Sequence, residues 1–307
     1  MNRRNFLSKS VLVAGASTLG TSAFASETPT NSVAPKYKLL YAPHFGMFEN
    51  SAGKDLFDQL KFMADNGFMA LEDNGMLKRS TDIQSKIGET MTKLGMKMGV
   101  FVVDGGDNWK TSLATGKKEF LEVFLKTCRE SVETAKRCNA KYMTVVPGYF
   151  ERSLPMGIQT ANVIDALRRA CDIFEPHNLT MVLEPLSDNA DLFLRHSDQS
   201  YMICKAVNSP SCKILFDMWH MQRNEGRMTQ HIDWCWEEIA YFQIGDEPGR
   251  KEPTTGEINY KSLFKHIYEK SQANKQEFIM GMEHGNFAKG KEGEAKLIEA
   301  YQWSDNF

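Results

Sequence analysis

The chain has 307 residues, of which 42% are hydrophobic, 25% charged and 11% aromatic. That apolar content can fill a core and excludes disorder as the general state. The 37 basic and 39 acidic residues give a net charge of −2, so there is no electrostatic footprint for nucleic acid.

The amino terminus reads MNRRNFLSKSVLVAGASTLGTSAFASETP. Arg3 and Arg4 are followed by Asn5, Phe6 and Leu7, then a weakly apolar run from Val11 to Leu19, then Ala23-Phe24-Ala25. This pattern resembles a twin-arginine export signal cleaved after Ala25. It predicts a signal peptide at 1–25, a flexible Ser/Thr/Pro-rich leader at 26–36, and a periplasmic or secreted product. The apolar run is shorter than the roughly 20 residues a membrane span needs, and no Cys adjoins the cleavage site. A stable membrane anchor is therefore not expected. Losing Arg3, Arg4 and Lys9 leaves 34 basic residues against 39 acidic, a mature charge of −5.

From residue 37 onward, short apolar runs alternate with amphipathic stretches. The runs are Tyr37–Pro43, Phe68–Glu72, Met96–Val103, Lys141–Pro147, Leu179–Glu184, Lys213–Asp217, Tyr241–Asp246 and Phe278–Glu283. Each is short and apolar throughout, as strands buried on both faces should be. Between them, Asp55–Asn66, Lys117–Cys138 and Thr160–His177 carry apolar residues at helical spacing. Asn66-Gly67 and Leu94-Gly95 supply helix-ending glycines. Eight such units predict an α/β fold, a single (β/α)8 TIM barrel over 37–307. A doubly wound open sheet is the runner-up, but it lacks its phosphate-binding glycine fingerprint. The six cysteines form no C-x-x-C, which excludes a zinc ribbon or thioredoxin motif. Most fall in apolar helical patterns and read as buried free thiols, with Cys204 and Cys212 the first pair to test for a bridge.

In such barrels the active site lies where the strands end. Run five ends in Glu184, run six in Asp217 and run eight in Glu283; run seven contains Gln243 and ends in Asp246. An acid at the end of a buried strand is costly unless paired or bound to a cation. Three acids and an amide oxygen suit a divalent cation, Mn, Mg or Co rather than Zn. Ion pairing or capping at the barrel rim is the competing explanation. His44, just past run one, and Trp109 are further candidates for the pocket wall.

The segment FQIGDEPGRKEPTTGEINY (Phe242–Tyr260) resembles the seventh-strand signature of the hydroxypyruvate isomerase family, which belongs to the xylose isomerase-like barrels. FDMWHMQRNEG (Phe216–Gly226), LEPLSD (Leu183–Asp188), GMEHG (Gly281–Gly285) and DGGDNW (Asp104–Trp109) resemble further motifs of that family. The resemblance covers about residues 37–305. It implies Glu184, Asp217, Gln243 and Glu283 as metal ligands, and Glu184 with Glu283 as the acid/base pair. It also implies His220 and Arg250 as substrate contacts. The related ketose epimerases usually carry His where this chain has Gln243. This chain departs from the isomerases after Glu283: they tend to follow that Glu with an aromatic, a basic residue and Pro, whereas here it is followed by His284-Gly285-Asn286-Phe287. A basic residue to hold the carboxylate of hydroxypyruvate is therefore not in its usual place.

The chemistry also follows from the residues. Isomerising an α-hydroxy carbonyl needs a proton removed beside the carbonyl and one returned at the neighbouring carbon. Two carboxylates can serve as base and acid, and a divalent cation stabilises enediolate charge. The expected activity is a metal-dependent sugar or hydroxy-ketone isomerase or epimerase acting on a small molecule. A lyase acting on keto-sugars or keto-glycosides, and a non-catalytic sugar-binding barrel, are the alternatives. Related barrels often form dimers or tetramers, which leaves a homo-oligomer open.

Overall fold

A computed structural model describes residues 36–307. The expected signal peptide and nearly all of the expected leader lie outside the described residues. All eight expected strands form: β1 (Leu40–Ala42), β2 (Ala70–Leu71), β3 (Lys97–Val102), β4 (Ala140–Val145), β5 (Thr180–Leu183), β6 (Cys212–Asp217), β7 (Ile239–Gln243) and β8 (Ile279–Gly281). They pair in parallel in the order β1-β8-β7-β6-β5-β4-β3-β2. The remaining seam, between β1 and β2, is joined by a parallel bridge from His44 to Glu72, with Glu72 N–H donating to the Pro43 carbonyl at 3.0 Å. The result is a nearly closed (β/α)8 barrel.

The local sequence accounts for the helices between strands. Asp55 caps the helix Leu56–Asp65 through the N–H groups of Phe57 and Asp58. Ser80 caps Thr81–Leu94, which ends on left-handed Gly95 at φ 71°. The helix Lys118–Cys138 ends on Asn139 and the helix Ser197–Val207 on Asn208, both left-handed, a conformation asparagine tolerates well. Among the described residues, no helix is long and apolar enough to cross a membrane.

The main core lies between strands and helices. A smaller cluster fills the barrel interior: Ala42, Ala70, Val100, Val182, Leu215, Tyr241 and Ile279. Side chains on a strand alternate faces, so the residue two further on points the same way. Two residues past Ala70, Val182, Leu215 and Tyr241 come Glu72, Glu184, Asp217 and Gln243. Four past Ile279 comes Glu283. The strand period thus raises a polar layer directly above the apolar interior. All six cysteines are buried and free, as the sequence pattern implied, so Cys204 and Cys212 do not form a bridge.

Candidate active site

Glu184, Asp217 and His220 each bring one potential ligand atom to within 4.8 Å of the others. Asp217 and His220 are fully buried and Glu184 nearly so. Asp217 ends β6 and caps the helix Met218–Asn224 by accepting from Trp219 N–H at 2.7 Å and His220 N–H at 3.3 Å. That turn brings His220 back over the strand ends. Its Nε2 stands 3.7 Å from Glu184, from Asp188 and from Asp217.

The protonation of His220 follows from its other nitrogen. Ser187 backbone N–H donates to Nδ1 at 3.0 Å, and Ser187 Oγ lies 2.8 Å from the same atom. A backbone N–H can only donate, so Nδ1 is the acceptor; Arg250 Nη2 lies 3.4 Å from Nε2 but gives its two protons to Asp217 and Glu283, so Nε2 keeps a proton of its own. Burial pushes the imidazole pKa below its usual value, outweighing the pull of Asp217. The ring is a neutral donor whose Nε2–H faces the acids. This suits a substrate oxygen and leaves no lone pair on Nε2 for a metal.

Arg250 is the cation among these acids. Its Nη2 donates to Asp217 Oδ2 at 2.9 Å and to Glu283 Oε2 at 2.6 Å, and its Nε donates to the Glu283 carbonyl. Its guanidinium also lies over the Trp219 ring, 4.4 Å from the centroid, a favourable cation–π distance. The backbone holds Arg250 at φ 49°, a left-handed conformation that costs free energy outside glycine.

Burial opposes ionisation of Asp217, but the Arg250 guanidinium and the backbone N–H groups of His220 and Trp219 hold its pKa below the usual range. Glu184 and Glu283 shift the other way. Burial raises both pKa values; the Asp217 charge adds to the rise at Glu184, and the Glu184 charge to that at Glu283. Glu72 is pushed up to about 7 by burial, against donors from Gln243 and Tyr241.

Gln243 decides whether a cation fits. It is fully buried, and its Nε2 donates to Glu72 Oε1 at 2.9 Å. Its Oε1 is buried with no hydrogen-bond partner. An unpaired buried carbonyl oxygen beside buried carboxylates is costly. A hard divalent cation would satisfy it, and the donor set of carboxylate and amide oxygens suits Mg or Mn.

A cavity of about 680 Å³ opens over this layer, lined by Glu184, Glu283, His220, Arg250 and Trp109 among others. Trp109 packs edge-on against Tyr149, with ring centroids 5.7 Å apart. His44 does not line this cavity. Its ring nitrogens meet the carbonyls of Phe45 and His284, at 2.9 and 3.1 Å, and tie the end of β1 to the loop after β8. Asp246 is not at a strand end, because β7 stops at Gln243. Its carboxylate accepts from the N–H groups of Gly256 and Ile258 and folds the loop that carries Arg250.

Three residues escaped sequence reasoning. Asn74 donates to Glu283 Oε1 at 3.0 Å from just past β2. Asp188 faces His220 across the cavity. Glu72 accepts from Gln243 Nε2 at 2.9 Å. Of the three, Glu72 carried a signal, because it ends its apolar run as plainly as Glu184 ends run five.

Residues 60–306 match the model of the xylose isomerase-like TIM barrel family. The chain belongs to that family. It is 34% identical to the hydroxypyruvate isomerase of Escherichia coli over 116 residues, spanning 37% of this chain and 45% of that protein. It is 26% identical to the 2-oxo-tetronate isomerase of Pectobacterium atrosepticum over 213 residues, 67% of this chain and 79% of that one. Among solved structures, an AP endonuclease family 2 protein of Brucella melitensis matches with a TM-score of 0.72 at 21% identity, covering 84% of this chain and 98% of that one. The 3-keto-D-glucoside 4-epimerase of E. coli matches with a TM-score of 0.71 at 14% identity, covering 87% and 98%. At these identities the two structures establish the fold.

Proposed function

We propose that this xylose isomerase-like barrel is a divalent-metal-dependent isomerase or epimerase of a neutral sugar or hydroxy-ketone, exported by the twin-arginine route through residues 1–25. The observation that carries the reading is the unpartnered, buried Oε1 of Gln243 among Glu184, Asp217 and Glu283. Those four side chains would hold the metal, preferably Mn, Mg or Co. When bound, the metal supplies a Lewis acid for negative charge on substrate oxygens. The hydroxypyruvate and 2-oxo-tetronate isomerase relatives support an isomerase.

The chain's own residues do the proton work. Glu184 and Glu283 rise from different strands and line one cavity, so one takes a proton from carbon while the other returns one. His220 donates Nε2–H to the substrate carbonyl oxygen and polarises it. Arg250 orients a hydroxyl or carbonyl oxygen, and Trp109 walls the mouth. Beside the neutral His220, Arg250 is the one cationic side chain lining the cavity among the described residues, and Asp217 and Glu283 already engage it. No free cation there greets a substrate carboxylate, which favours a neutral keto-sugar over hydroxypyruvate itself.

The test is elemental analysis of purified protein, followed by NMR of ketoses, hydroxy-aldehydes and keto-glycosides incubated with the metal-loaded enzyme. About one divalent ion per chain and a new isomer or epimer support the reading. Release of an aglycone from a keto-glycoside would make the enzyme a lyase. Sugar binding without any turnover would make it a binding barrel.

A further inference from the structure

Beside the candidate metal ligand Gln243, in the same polar layer, lies a buried carboxylate that does not line the cavity over the site. Glu72 is 2% exposed and is held by two donors: Tyr241 Oη gives its proton to Oε2 at 2.9 Å, and Gln243 Nε2 donates to Oε1 at 2.9 Å. Two neighbouring strands make room for this chain of bonds. A Cβ on Gly281 would stand 1.9 Å from Glu72 Oε2, and one on Gly99 would stand 2.4 Å from Tyr241 Oη. Both glycines have negative φ, so space rather than backbone conformation excludes a side chain there.

A primary amide has two ends of nearly equal size and opposite function: the nitrogen donates and the oxygen accepts. Without a neighbour to distinguish them, the Gln243 amide could present either end to the cation position, and only the oxygen can bind a metal. A carboxylate beside the amide distinguishes them, because its oxygens accept. Nε2 is drawn to Glu72, and Oε1 is left with no partner.

We infer that Glu72 is a positioning residue: through its bond to Nε2 it fixes the Gln243 amide so that Oε1 alone faces the metal position, with Tyr241 fixing Glu72 from the other side. The inference rests on the metal reading above. Groups that orient metal ligands from behind typically contribute 10- to 100-fold in metal affinity.

The test is equilibrium binding of Mn²⁺ to the full chain after chelator treatment, read by electron paramagnetic resonance of the free ion, with circular dichroism confirming the fold. The variants are Glu72→Gln, Glu72→Asp and Glu72→Met. In Glu72→Gln the new side chain still offers a carbonyl oxygen to Gln243 Nε2, while its amide nitrogen donates to the Tyr241 hydroxyl. Glu72→Asp keeps the charge but falls short of Nε2 by one methylene, and Glu72→Met keeps the length but has no acceptor. Positioning predicts affinity within about threefold of wild type for Glu72→Gln and a loss of about 10- to 100-fold for the other two. A purely electrostatic role reverses the order of Glu72→Asp and Glu72→Gln and overturns the proposal. Adding Gln243→Ala to Glu72→Met should cost little more, since both changes remove the same ligand. Losses that multiply also overturn it. If wild type binds Mn²⁺ and Glu72→Met binds it equally well, Glu72 has no such role and the metal reading stands. If wild type binds no Mn²⁺, the metal reading fails and this inference falls with it.

Discussion

Ser187 points its backbone N–H at His220 Nδ1 from 3.0 Å, and this one bond determines what the histidine can do. With Nδ1 accepting, the proton sits on Nε2, 3.7 Å from Glu184. The histidine then acts as a hydrogen-bond donor over the cavity. A glutamine amide nitrogen mimics Nε2 and an asparagine one mimics Nδ1. His220→Gln should therefore retain more kcat/KM than His220→Asn, while His220→Ala loses about 10²–10⁴-fold. Equal losses for Gln and Asn would contradict the assigned tautomer.

Arg250 joins Asp217 and Glu283 through a single nitrogen, Nη2, while its Nε reaches a backbone carbonyl. An ammonium cannot reproduce that fork. Arg250→Lys should lose most of what Arg250→Met loses, about 10²-fold or more in kcat/KM. Steady-state kinetics on the best substrate checks this. Near-complete recovery in Arg250→Lys would show that charge alone suffices.

The six buried cysteines are free. Burial holds Cys138 and Cys235 up to about 11, so their reactive thiolates are scarce at neutral pH. An aromatic disulfide reagent at pH 8 should find no fast-reacting thiol in native protein and all six after denaturation. Fewer than six in denaturant without reductant would reveal a bridge.

His284 is buried, with Nε2 2.7 Å from the Tyr301 hydroxyl. Burial lowers its pKa to about 3, against an unfolded value of 6.5. Between those values the unfolded chain takes up a proton that the native one refuses, so this residue's contribution to stability falls as pH drops below 6.5. Relative to His284→Gln, the wild type should lose about 2 kcal/mol between pH 7 and pH 5. Urea titrations at the two pH values measure the difference. Parallel behaviour of the two proteins would mean that His284 titrates normally.

The barrel was legible because its strands are buried on both faces and therefore read as unbroken apolar runs. Their ends were less so. β1, β2 and β8 pair over three, two and three residues, far fewer than their apolar runs suggest, since the flanking residues are buried without joining the ladder. Glu184, Asp217 and Glu283 stood out because a carboxylate ending a buried strand demands a partner. Asp188 had no such signal, lying in a loop without periodicity. His44 was placed correctly past β1, but the sequence does not say that its ring turns to the carbonyls of Phe45 and His284. Asp246 extended an apolar run in sequence, yet three-dimensional folding of residues 247–258 recruits its carboxylate for their backbone N–H groups.

The most direct measurement is proton NMR of a ketose in D₂O with the purified, Mn²⁺-loaded protein, set beside Glu184→Gln and Glu283→Gln. With wild type the carbon-bound proton signal next to the carbonyl should disappear. With either variant the rate should be about 10²–10⁴-fold lower, while the fold stays intact. Isomerisation that proceeds without solvent deuterium entering carbon in wild type, or at an unchanged rate in both variants, would contradict proton transfer by Glu184 and Glu283.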